Sequence, residues 1–142
     1  MVWLETKHLI LRDFQQQNVH QLAPILVNLK VMEFSPAGIL STSQTQVKID
    51  DFIALHKKSG FGKWAVIFKE TNELIGYCGI AVEQVYDVDE RQLGYRLDPK
   101  FWNLELATEA ASATIQYGFN KLRFLYILGI VERANIAFVR VL

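Results

Sequence analysis

The order of apolar patterns predicts a single α/β domain built on a mixed sheet. Three observations carry that prediction. An alanine-rich stretch at helical spacing, Leu106 to Phe119, is bracketed by two strand-like runs, 91–97 and 124–131, and such a strand–helix–strand unit is parallel and right-handed. Two short apolar runs, Trp64 to Phe68 and Leu74 to Val82, flank the polar turn Glu70-Thr71-Asn72-Glu73, as in an antiparallel hairpin. The 142 residues, 51% hydrophobic and 21% charged, suffice for one domain with a core (1–142) and not comfortably for two.

The elements follow in order. Thr6 to Arg12 alternates around Leu9 and Leu11 and is predicted as the first strand. Asp13 is a candidate helix cap, because Val19, Leu22, Ala23 and Leu26 then recur at helical spacing; Pro24 weakens or splits that helix. Phe34-Ser35-Pro36-Ala37-Gly38 is loop by composition. Ser41 or Ser43 caps a second helix carrying Val47, Ile49, Phe52, Ile53 and Leu55, which stops near Ser59-Gly60. After the hairpin, Glu83 to Asp89 is predicted as a polar connection and Arg91 to Leu97 as a strand. Phe124 to Val131 is apolar on both faces, which suggests a central or doubly covered strand. Asn135 starts a last helix, running to Leu142. The predicted order is β-α-α-β-β-β-α-β-α.

Composition excludes some classes of function. Lys+Arg and Asp+Glu both number 15, so a nucleic-acid binder with a strong electrostatic footprint is not expected. No apolar run approaches the ~20 residues that span a bilayer, and a soluble, cytoplasmic protein without a membrane partner is expected. The single cysteine, Cys78, lies in an apolar run and is expected to be a buried hydrophobe. His8, His20 and His56 show no metal spacing and no paired acid, so each is expected to be a surface or satisfied histidine.

The candidate site is the corner where strand 91–97 turns into the alanine-rich helix. A helix start offers unpartnered N–H groups and a positive dipole end to an anion. Here that corner carries Glu105.

Several runs along the chain resemble one family: Gly94-Tyr95-Arg96-Leu97-Asp98-Pro99-Lys100-Phe101-Trp102 with Leu106-Ala107-Thr108-Glu109-Ala110; Leu9-Ile10-Leu11-Arg12; Gly60-Phe61-Gly62-Lys63-Trp64-Ala65-Val66; Glu73-Leu74-Ile75-Gly76-Tyr77-Cys78-Gly79; and Asn135-Ile136-Ala137 before Arg140-Val141-Leu142. In this order they resemble the GNAT superfamily of acetyl-CoA-dependent N-acetyltransferases, RimJ/RimL-like branch. The resemblance implies a GNAT-like fold and transfer of acetyl from acetyl-CoA, as co-substrate, to a primary amine on a protein N-terminus or a small molecule. It implies that the backbone of Tyr95, Arg96 and Leu97 pairs with the pantetheine arm. The pyrophosphate is expected on Trp102, Asn103, Leu104, Glu105, Leu106, Ala107 and Thr108, and Asn135 is expected to contact the arm. Glu83 is a candidate relay for the amine proton, and Phe34 and Tyr86 are candidates to line an acceptor groove.

The chain also departs from the family. Glu105 stands at the middle glycine of the cofactor loop and Asn103 at another frequent glycine, while Leu104 replaces a common lysine. Phe138 and Leu142 stand where branches of the family carry a serine or tyrosine donor to the leaving thiolate. The family's closing C-terminal strands are not in this sequence, so either a homodimer covering 124–131 or a longer parent chain is expected. These departures keep a second reading open, a catalytically impaired relative acting as an acyl-CoA-binding or interaction module.

Overall fold

A computed structural model describes residues 1–33, 35 and 37–129. Five strands, β1 (Val2–Glu5), β2 (Leu9–Arg12), β3 (Lys63–Phe68), β4 (Glu73–Val85) and β5 (Val88–Leu97), form one antiparallel sheet in the order β1-β2-β3-β4-β5. The helices are α1 (Val19–Leu26), α2 (Leu29–Met32), α3 (Thr42–Ser59) and α4 (Leu106–Asn120). Among the described residues, no helix is long and apolar enough to cross a membrane.

The period-2 pattern of β3 sets the layers. Ala65 and Ile67 point to one face and pack with Leu22, Leu26, Ile49 and Phe52 of α1 and α3. Trp64 and Val66 point to the other and pack with Leu106, Ala110 and Ala111 of α4. Trp64 is buried, edge-on to Tyr117 of α4 with ring centroids 5.4 Å apart. Gly76 is needed where β4 meets β5: with φ at +154°, a Cβ there would lie 1.9 Å from the Arg96 carbonyl oxygen.

Several elements differ from the sequence expectation. The first strand is a hairpin, in which β1 precedes β2 and the Thr6 N–H closes the turn onto the Leu9 carbonyl at 2.9 Å. Asp13 caps no helix. Its carboxylate accepts the Trp3 indole N–H and meets the N-terminal ammonium, so α1 begins at Val19, after a 3₁₀ turn over Gln16–Asn18. Pro24 lies inside α1, near its end, and the short α2 follows separately. Helix α3 starts as one of the two candidate caps predicts. Ser41 accepts the Gln44 N–H at 3.1 Å, Gln44 accepts the Ser41 N–H at 2.8 Å, and Gly60 ends the helix with φ at +79°.

The expected connection at 83–89 is mostly strand. β4 and β5 continue as a two-stranded ribbon to a two-residue turn, Tyr86–Asp87, in which both residues have positive φ (50° and 64°). That left-handed turn matches the twist of the ribbon. The composition is polar because both faces of the ribbon meet water; Val82 and Val88 are exposed.

The run expected as strand 124–131 is not a regular strand over its described residues. A single parallel bridge joins Leu128 to Gln92 of β5, and Leu125 and Tyr126 are exposed, so this part is not doubly covered. The remainder of that run and the expected helix at 135–142 lie outside the described residues.

Candidate active site

Strand β5 delivers the corner. Its register against β4 is unbroken from Val88 to Leu97, so its backbone groups alternate in direction throughout. The Leu93 N–H donates to the Leu128 carbonyl and the Leu128 N–H to the Arg91 carbonyl, both at 2.8 Å, which turns the odd-numbered residues of β5 away from β4. Tyr95 and Leu97 present their carbonyls to this outer edge. Both are met by side chains: Arg96 Nη1 donates to the Tyr95 oxygen and Trp102 Nε1 to the Leu97 oxygen, each at 2.9 Å. A carbonyl oxygen has two lone pairs, so each retains room for a further donor.

Beyond Leu97 the chain turns sharply. The Asp98 carboxylate accepts the Lys100 N–H at 3.1 Å, and Pro99–Phe101 form a 3₁₀ turn. Asn103 and Glu105 then adopt left-handed backbone, with φ at +67° and +62°. These are the two positions where the family resemblance places glycine, so the loop keeps a glycine-like conformation on residues with side chains.

Helix α4 begins immediately after Glu105, whose side chain is exposed and makes no cap bond. The N–H groups of Leu106, Ala107 and Thr108 find no acceptor among the described residues. Three unpartnered donors stand at the positive end of a 15-residue helix, an arrangement suited to an anion. Leu106 is buried, Ala107 partly so, and Trp102, Asn103, Leu104 and Thr108 are exposed.

The corner is braced from below by Glu109. Its carboxylate accepts the His8 N–H at 2.9 Å and the Thr6 hydroxyl, and pairs with His8 Nδ1 at 2.8 Å. Burial alone would raise this carboxyl, but the bonds from His8 and Thr6 outweigh it and hold the pKa below the usual range. From sequence, Glu109 is explained as an acid favoured by the helix dipole; it also ties α4 to the β1–β2 turn.

The other face of the sheet carries a second cluster, which sequence reasoning missed. The ammonium groups of Lys48 (α3) and Lys63 (β3) converge on the same two rings. Lys48 Nζ lies 5.4 Å from the Phe52 centroid and 5.7 Å from that of Tyr77, and Lys63 Nζ lies 6.0 and 5.9 Å from them. The Lys63 side chain reaches across β4 to β5, where a Cβ on Gly94 would lie 3.1 Å from its Nζ. Burial lowers the pKa of both lysines, that of Lys63 to about 8, with the neighbouring positive charge of Arg96 adding to the effect and Glu83 opposing it. A signal was present in the sequence, since Lys63 shares the face of Ala65 and Ile67 and so sets a charge on the core side of β3.

The remaining candidates are dispersed. Glu83 lies within β4, not after a strand, exposed and opposite Glu90. Tyr86 sits at the ribbon tip, 96% exposed, at the far end of β5 from the corner. Phe34, Asn135, Phe138 and Leu142 lie outside the described residues. Cys78 is fully buried 3.5 Å from the Thr114 hydroxyl, and burial pushes its thiol up to about 11, which fits a packing role. His56 is not satisfied as expected. It packs against Trp3 and Trp64, and its buried Nε2 has no partner among the described residues.

Comparison with known proteins matches this architecture. Residues 8–142 fit the model of the acetyltransferase (GNAT) domain. The uncharacterized N-acetyltransferase YoaA of Bacillus subtilis (strain 168) is 30% identical over 141 residues, covering 98% of this chain and 78% of YoaA. A GNAT-family acetyltransferase from Bacillus anthracis superposes with a TM-score of 0.84 at 23% identity, over 99% of this chain and 80% of the other. RimL, a ribosomal L7/L12 alpha-N-protein acetyltransferase solved with coenzyme A, superposes with a TM-score of 0.76 at 18% identity, over 99% of this chain and 81% of RimL. The family model spans residues 8–142 and YoaA matches nearly the whole chain, and the chain belongs to the GNAT acetyltransferase family, an acyltransferase by that membership.

Proposed function

We propose that this chain transfers acetyl from acetyl-CoA to a primary amine, on a protein N-terminus or a small molecule. The observation that carries the reading is the corner at 102–108. It retains left-handed backbone at Asn103 and Glu105 and three unpartnered N–H donors at the start of α4. Those features fit a pyrophosphate, whose oxygens take N–H donors at a helix start. The coenzyme A bound to RimL, a protein of the same fold, adds support from outside the chain.

In this reading Leu106, Ala107 and Thr108 hold the pyrophosphate by their N–H groups. The outer edge of β5 at Tyr95–Leu97 receives the amides of the pantetheine arm, with Arg96 and Trp102 already fixing two of its carbonyls. Bound acetyl-CoA supplies an activated thioester carbonyl. The chain's own task is to position the amine and take its proton, and Glu83 is the proposed proton acceptor. Glu105 favours a second reading, a relative that keeps the fold without turnover, because its carboxylate stands beside the corner.

Thiol release from acetyl-CoA across a panel of primary amines tests the proposal. Acceptor-dependent release is expected. Cofactor binding with no release from any amine would favour the second reading.

A further inference from the structure

Three cationic side chains meet on the face of the sheet that carries α1 and α3; the proposed cofactor site uses neither lysine, and of Arg96 only the Nη1 bond to the Tyr95 carbonyl. Lys48 and Lys63 share the Phe52 and Tyr77 rings as walls. Arg96, directly across the β4–β5 ladder from Tyr77, supplies the third charge. None of the three forms an ion pair among the described residues, and the buried Arg96 Nε has no hydrogen-bond partner there. Glu83 from β4 and Asp51 from α3 are the acids close enough to act on the lysines. Like charges held together and partly dried cost folding energy unless something offsets them. A cleft of about 250 Å³, lined in part by Phe52, Ile53, His56 and Lys63, opens beside the cluster.

We propose that Lys48, Lys63 and Arg96 form an anion-binding subsite that holds a carboxylate or phosphate group of the acceptor, so that the amine acetylated belongs to a molecule with an acidic group. The aromatic walls exclude water and strengthen the charge–anion attraction. An anion would sit against a strand, β5, whose other edge faces the proposed pantetheine site. Assigning the anion to the acceptor rests on the acetyl-transfer reading; binding of an anion at the cluster does not. The lowered pKa of Lys63 supports the assignment, because burial outweighs the attraction of Glu83 and leaves the ammonium undercompensated.

The test uses the whole chain and inorganic phosphate, titrated calorimetrically at low ionic strength with and without saturating acetyl-CoA. Phosphate is expected to bind in both conditions. Its affinity is expected to fall at least tenfold in Lys48→Gln and in Lys63→Met, each checked for native fold by circular dichroism. Phosphate held at the start of α4 would ignore both substitutions and yield to acetyl-CoA, and either result overturns the proposal. A second readout needs no variant: in ¹³C-lysine spectra, phosphate is expected to raise the Lys63 titration midpoint. An unmoved midpoint with phosphate bound would also overturn it. If acetyl-CoA itself does not bind, the lysine-dependent phosphate site still stands or falls on these data, and only the acceptor assignment is lost with the acetyl-transfer reading.

Discussion

Glu105 holds φ at +62° at the mouth of α4, a conformation glycine adopts freely and an L-residue at a cost of roughly 1–2 kcal/mol. Glu105→Gly is therefore expected to stabilise the chain by about 1 kcal/mol in urea unfolding. Its affinity for acetyl-CoA is expected to rise about fivefold, since two unit charges ~5 Å apart repel by ~1 kcal/mol in water. Glu105→Ala separates the two effects: the affinity gain remains and the stability gain does not. Unchanged affinity in both variants would show that the carboxylate stays clear of the pocket. The charge at this corner was legible in the sequence. The backbone was not, because composition does not reveal a left-handed residue that is neither glycine nor in a recognised turn. Glu109 offers the pH test at this scale. Its folded pKa is depressed, so its contribution is present above the ordinary carboxyl pKa of 4.5 and is lost as pH falls through the lower folded value. Glu109→Gln is expected to lose about 1.5 kcal/mol at pH 7 and to flatten the acid limb of the stability profile.

Among the elements, α3 and β3 were the most legible, whereas the run expected as a central strand, 124–131, is not a regular strand over its described residues. The pattern of α3 agreed at both ends, in a serine cap and a glycine stop, and in part along its face, where Ile49 and Phe52 are buried but Val47 and Leu55 are exposed. Ser41→Ala is expected to cost about 1 kcal/mol in thermal or urea unfolding, the usual worth of a lost cap. The β4–β5 ribbon was hidden for a physical reason. A ribbon wet on both faces has no apolar alternation, and Tyr86-Asp87 lacks the Asn-Gly signature of its turn. Replacing Tyr86-Asp87 by Asn-Gly is expected to stabilise the ribbon by about 1 kcal/mol in the same assay. A loss of stability there would contradict the turn geometry. The β1–β2 hairpin was missed because Asp13 resembles a helix cap in sequence while in the fold it receives the Trp3 indole.

At the scale of the molecule, a two-faced sheet separates two charged regions. The α4 side ends in the corner proposed to bind the cofactor's pyrophosphate, and the α1–α3 side holds the part-buried cations Lys48, Lys63 and Arg96. Lys63 makes that separation measurable. Its folded pKa, about 8, lies below the ordinary lysine value of 10.5, so above about pH 8 the folded state sheds the proton while the unfolded state keeps it. Stability from Lys63 thus rises with pH from about 8 toward 10.5, and Lys63→Met is expected to remove that rise while stabilising the chain at pH 7. Cys78, Tyr77 and Tyr95, all raised by burial, act in the opposite direction once the free thiol ionises near pH 9 and free tyrosines near pH 10, so the rise is read as the difference between the native chain and Lys63→Met from about pH 8. The order of elements around the corner was visible in the sequence; the meeting of Lys48 with Lys63 was not, because it depends on how the face of α3 packs on the next strand, β3, which residue spacing does not reveal. The most direct test of the central claim, that the start of α4 is an acyl-CoA site, is a calorimetric titration of the native chain with acetyl-CoA. Saturable one-to-one binding, competed by coenzyme A and tightened in Glu105→Gly, is the expected result; no heat of binding at high micromolar acetyl-CoA from either protein would contradict it.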